Sequence, residues 1–124
     1  MRDIPFENNS LDGILCVWTT GHGTLEDACK NVNEIYRILK PNGIVVIDYV
    51  SIDDVNYGKG TEIAKDTFIN NVEENIPHHY STIEELKELY SNFSQVDIKP
   101  IEYIFFDYNG GKHTVKAFVV ISTK

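Results

Sequence analysis

Two uninterrupted apolar runs, separated by one segment of helical period, constrain this chain more than any other feature. Ile14, Leu15, Cys16, Val17 and Trp18 form the first, and Ile44, Val45, Val46 and Ile47 the second. Runs without polar alternation are the mark of strands covered on both faces, as in a parallel sheet. Between them, Leu25, Ala28, Val32, Ile35, Tyr36 and Leu39 recur at spacings of three and four and lay one apolar stripe along a helix. Thr24 with Asp27 forms a capping box with the shorter acid, and Glu26 and Asp27 place negative charge in the first turn, where the helix dipole favours it. Arg37 and Lys40 sit near the negative end, and Pro41 with Gly43 stops the helix and turns the chain.

Strand, helix and strand in that order make a βαβ unit, for which a right-handed crossover is the default. The fold class is therefore α/β. Ligands of such sheets sit outside the carboxyl ends of the strands, which here means residues 18–23 and 49–53. Gly21 and Gly23 in the first of these loops permit backbone conformations that other residues avoid.

The 124 residues are expected to form a single domain, 1–124. A net charge of -8, with 11 Lys and Arg residues scattered along the chain, argues against nucleic acid as a partner. No apolar run is long enough to cross a bilayer, and no signal-peptide pattern opens the chain. No membrane association and a cytoplasmic location are the expectation. Cys16 and Cys29 fall inside a strand and a helix, where a thiol usually packs as a small apolar group.

Residues 1–10 read as an irregular lead-in with Phe6 as its apolar anchor. Residues 51–80 read as a long insert over the ligand-facing end of the sheet, with a turn at residues 57–60 and a helix as one option over residues 61–70. The Gly58-Lys59-Gly60 triplet lacks the spacing of a phosphate loop. Ser81 or Thr82, followed by Glu84 and Glu85, starts a short second helix carrying Ile83, Leu86, Leu89 and Tyr90, with Phe93 closing it against the core. Residues 96–106 and 115–121 are rich in strand formers, and Asn109-Gly110-Gly111 between them signals an antiparallel hairpin.

Three pieces of text carry a family resemblance: the lead-in Ile4-Pro5-Phe6, the strand opening Ser10-Leu11-Asp12, and Arg37-Ile38-Leu39-Lys40-Pro41-Asn42-Gly43. Together with the terminal hairpin they resemble the C-terminal part of the class I S-adenosylmethionine-dependent methyltransferases. The resemblance implies a Rossmann-like fold whose mixed sheet ends in an antiparallel hairpin. It matches residues 51–80 only loosely and leaves out the family's first three strands, with their Gly-rich cofactor loop; no Gly-x-Gly-x-Gly pattern occurs in the chain. The chain is thus expected to be a truncated portion that binds cofactor weakly or is inactive alone.

Carried over by position, the resemblance implies that Cys16, Val17 and Trp18 line S-adenosyl-L-methionine with His22 nearby, and that Met1 and Arg2 flank the adenine. Tyr49, Ser51, Tyr57, His78 and Tyr80 would face a small-molecule methyl acceptor, with His79 as the candidate general base. For Trp18 a core aromatic, and for His22 a packing or capping role, are the competing structural roles. No metal site is implied, because His22, His78, His79 and Asp53 lack ligand spacing. An alternative is a non-enzymatic interaction module, a homodimer pairing through the strand at residues 11–18. A dehydrogenase-like nucleotide domain is disfavoured because its Gly-rich fingerprint is missing.

Overall fold

The computed structural model describes residues 3–70 and 75–124. The main sheet holds four strands in the order β1-β2-β7-β6, where β1 is Leu11–Cys16, β2 Leu39–Val50, β6 Gln95–Phe106 and β7 Lys112–Thr123. β1 runs parallel to β2, while β7 is antiparallel to both β2 and β6. The sheet is therefore mixed and ends in the hairpin that the sequence signalled.

Helix α1, Leu25–Ile38, begins where the sequence places it: Thr24 accepts from the Asp27 amide while the Asp27 side chain takes the Thr24 amide, closing the capping box. Two donors of the first turn are thereby satisfied. The helix ends at Leu39, which already pairs with Leu11 of β1. The Lys40–Gly43 turn is then absorbed into the start of β2 as an irregularity in the β1–β2 register, with Asn42 in the left-handed region at φ 66.

Opposite residues across the ladders share a face, so Cys16, Ile47 and Val120 lie together, as do Tyr49 and Phe118. On that face pack Ala28, Val32 and Ile35 of α1, and Leu86 of α2 (Ile83–Leu89) with Tyr90 and Phe93 beyond it. Both helices thus cover one side. The other side carries Leu15 opposite Val46, which in turn opposes Ile121, and Leu15 is 74% exposed. The continuous apolar run of β1 predicted cover on both faces; among the described residues it has cover on one, because α1 and α2 both fall on the side of Cys16. Among these residues β1 also pairs only with β2.

Three further differences are local. The helical option over residues 61–70 is overturned: β3 (Thr61–Ala64) and β4 (Thr67–Ile69) form a hairpin, joined by β5 (Pro77–His79) into a second three-stranded sheet. Asp66 takes φ 53 at the turn, and the segment has no apolar stripe at helical spacing to bury. Phe6 is half exposed, where a buried anchor was expected. The lead-in is held instead by Arg37, which donates to the carbonyls of Ile4 at 3.0 Å and Phe6 at 2.8 Å and to Asn8 Oδ1 at 2.9 Å.

Candidate functional site

The carboxyl ends of β1 and β2 meet around one side chain, Asp48. It directly follows the apolar run Ile44-Val45-Val46-Ile47 and is 5% exposed. A buried carboxylate is costly unless donors surround it. Here the Trp18 amide donates to Oδ1 at 2.9 Å and Oδ2 at 3.2 Å, and the Tyr103 hydroxyl donates to Oδ2 at 2.9 Å. The Thr20 hydroxyl donates to the Asp48 carbonyl, so the loop after β1 is tied to β2 through side chain and main chain alike. Burial, reinforced by the bond to Asp48, pushes the Tyr103 phenol up to about 12.

That tether sets the conformation of Trp18. Its φ of 59 is left-handed, a region that costs a bulky residue on the order of 1 kcal/mol or more, and the two-oxygen acceptor fixes it there. The indole is 49% exposed and lies against Tyr103 and Phe105 at centroid distances of 5.1 and 5.5 Å. A core role for Trp18 is thereby set aside. Asp48 was not singled out from the sequence, though a lone acid ending an all-apolar strand was the available signal.

The second sheet docks beside this loop. The Gly23 amide donates to the Pro77 carbonyl at 2.7 Å and the His79 amide to the Gly21 carbonyl at 3.0 Å, bracketing a bridge between His22 and His78. The His22 and His78 rings meet edge to face at 5.1 Å. Ser81 donates its amide to Val50, extending the contact to the end of β2. Residues 77–81 therefore reach the strand ends, and His22 and His78, far apart in sequence, come together there.

The other expected residues are placed as follows. Cys16 is buried, its sulfur 2.6 Å from Thr19 Oγ1, while Val17 is half exposed beside Trp18. Met1 and Arg2 lie outside the described residues. Tyr49 was expected on the acceptor side; its side chain is turned into the core, with the hydroxyl 2.9 Å from that of Tyr90, and burial drives its pKa well above the ordinary phenol range. The alternation along β2 explains this, since Asp48 and Tyr49 must point to opposite faces. Ser51 is 2% exposed and its hydroxyl accepts from the Asp53 amide. Tyr57 donates to Asp66 at 2.7 Å and packs with Phe68 and the buried Tyr80 as the core of the small sheet.

His79 is 5% exposed, and both ring nitrogens are engaged: Nδ1 lies 2.8 Å from Thr67 Oγ1 and Nε2 2.8 Å from Glu85 Oε1. It joins the small sheet to α2 and offers no open ring nitrogen. A shallow hollow of about 480 Å³ between the 51–53 loop and the terminal hairpin is lined by Ser51, Asp53, Glu102 and Lys116, among others. Among the described residues no three His, Cys, Asp or Glu side chains are grouped to hold a metal ion, and no helix is long and apolar enough to cross a membrane.

Residues 1–47 match the family model described as a methyltransferase domain. No curated protein matches the chain. Among solved structures, a SAM-dependent methyltransferase from Methanosarcina mazei superposes with a TM-score of 0.73 at 19% identity, over 99% of this chain and 63% of that one. A SAM-dependent methyltransferase from Thermotoga maritima, described as a possible histamine N-methyltransferase, gives 0.63 at 20% identity, over 99% and 60%. The Burkholderia thailandensis 1,6-didemethyltoxoflavin-N1-methyltransferase, solved with its substrate and S-adenosylhomocysteine, gives 0.57 at 18% identity, over 94% and 45%. The chain thus spans less than two thirds of the length of each. The resemblance to class I S-adenosylmethionine-dependent methyltransferases is borne out, and the fold is the mixed-sheet, hairpin-ended part of their Rossmann-like domain.

Proposed function

We propose that this methyltransferase-like fold serves S-adenosylmethionine-dependent methyl transfer to a small molecule, and that these 124 residues supply one wall of the donor site together with the acceptor side. The observation that carries the reading is the convergence at the ends of β1 and β2: the Trp18 loop tied to Asp48 on one side, and the His22–His78 contact of the small sheet on the other.

The residues present fit one side of the cofactor. Val17 offers half-exposed apolar surface at the end of β1, and the loop to Gly23 offers backbone groups beside it. A Gly-rich turn does not occur in these residues, so binding by this chain alone is weak. When bound, the cofactor supplies an activated methyl group. The chain's own part is alignment: Asp48 fixes Trp18 and Tyr103, and β5 of the small sheet is bonded to the loop at Gly21 and Gly23. His79 serves this reading as a strut holding the small sheet on α2, and no general base is assigned.

Calorimetric titration with S-adenosylmethionine and S-adenosylhomocysteine tests the proposal. Binding weaker than about 1 mM by this chain is expected, becoming micromolar when a segment with a Gly-rich strand-loop is supplied beside β1. No gain on supplying that segment would sink the reading.

A second reading, a homodimer through β1, is favoured by one observation: among the described residues β1 pairs on one side only, and Leu15 is 74% exposed beside that edge. Sedimentation at micromolar concentration decides it, and a clean monomer would count against it.

A further inference from the structure

Three large aromatic side chains meet at the end of the sheet and stay partly in water. Trp18 is 49% and Phe105 42% exposed, and the indole touches both Phe105 and the half-buried Tyr103. The Trp18 plane is tilted 53° to Tyr103 and 82° to Phe105, so the rings form a corner and not a flat stack. One face of Phe105 is covered by His113, stacked at 5.1 Å and 15°, whose Nε2 lies 2.9 Å from Asp107. Beneath the corner, the Asp48 carboxylate holds the Trp18 amide and the Tyr103 hydroxyl. Exposed aromatics held by a buried acid are poorly explained as packing, since packing would bury the rings and spare the acid.

We infer that the Trp18–Tyr103–Phe105 corner binds a small organic ammonium cation. Aromatic faces carry negative quadrupole potential, and attraction to a cation over them strengthens with desolvation. Asp48 adds negative charge from below, and the chain as a whole carries -8. The electrostatics of the corner select a cation over an anion or a neutral hydrocarbon. Placed at the carboxyl ends of β1 and β2, the cation is the methyl acceptor or its charged group; that last step rests on the function proposed above, whereas the binding itself does not.

Trp18 is the only tryptophan, so its fluorescence reads the corner directly in the full chain. Choline is titrated against its uncharged isostere, 3,3-dimethyl-1-butanol. Choline should give a saturable change, with the isostere about fivefold weaker or more, on the order of 1 kcal/mol. Phe105→Ala should weaken choline by roughly threefold, and Asp48→Asn likewise, with circular dichroism confirming the fold. Should Asp48→Asn fail to fold, Phe105→Ala decides, because that ring sits on an exposed hairpin. Equal affinity for the isostere, an unaffected Phe105→Ala, or no saturable change overturns the inference. So does competitive displacement of choline by S-adenosylmethionine, which would assign the corner to the donor's sulfonium. Failure of donor binding by calorimetry leaves this test standing, so the two readings fall separately.

Discussion

The hydroxyl of Tyr103 donates to Asp48 Oδ2 across 2.9 Å, joining the terminal hairpin to the strand that follows the first helix. Asp48 accepts the Trp18 amide at the same time, so one carboxylate sets the relative position of three segments.

Tyr103→Phe should therefore cost about 1–2 kcal/mol, measured by urea unfolding, since a hydrogen bond to a charged group is lost and the acceptor keeps its other donor. The raised phenol pKa means that the fold favours the neutral form. Its contribution is complete below the ordinary value near 10 and is lost as pH rises towards about 12. The variant should lack that alkaline loss, and an unchanged alkaline midpoint would count against the assignment.

His79→Ala should destabilise the chain by about 2–3 kcal/mol, because Thr67 and Glu85 lose their shared buried partner. A histidine acting mainly as a base would behave otherwise: its loss would leave the urea midpoint in place and remove activity alone. The urea midpoint of the variant separates the two.

Glu34 accepts the Ile4 amide at 3.1 Å and pairs with Arg37 at 2.8 Å, and the Arg37 bond chiefly holds its carboxyl down at about 2. Because the folded value is depressed, the contribution is present above the ordinary glutamate range and disappears as pH falls towards about 2. Carboxyl-carbon NMR should show Glu34 titrating there. Glu34→Gln should speed amide exchange at Ile4 without altering the core.

Gly43→Ala should destabilise by about 1–3 kcal/mol, because the added Cβ would stand 2.9 Å from the Lys40 carbonyl and 3.2 Å from that of Asp12. Both are backbone atoms in the β1–β2 register. A neutral substitution would show that the turn can shift.

What the sequence determined by itself was the local order of elements. Apolar runs, the Thr24–Asp27 box and the Asn109-Gly110-Gly111 turn encode strand, helix and hairpin within a few residues of one another, where spacing alone reports backbone geometry. The family resemblance was legible for the same reason, in contiguous text from Ile4 to Gly43. The tertiary structure decided what depends on which faces meet. It put both helices on the Cys16 side and left Leu15 in water, and it turned residues 61–70 into strands by giving them β5 to pair with. It also turned the Tyr49 hydroxyl into the core against Tyr90 and engaged both ring nitrogens of His79, while Asp48 ties the Trp18 amide to the Tyr103 hydroxyl. Adjacent residues on a strand point opposite ways, and only the position of the covering helices says which of the two reaches the site.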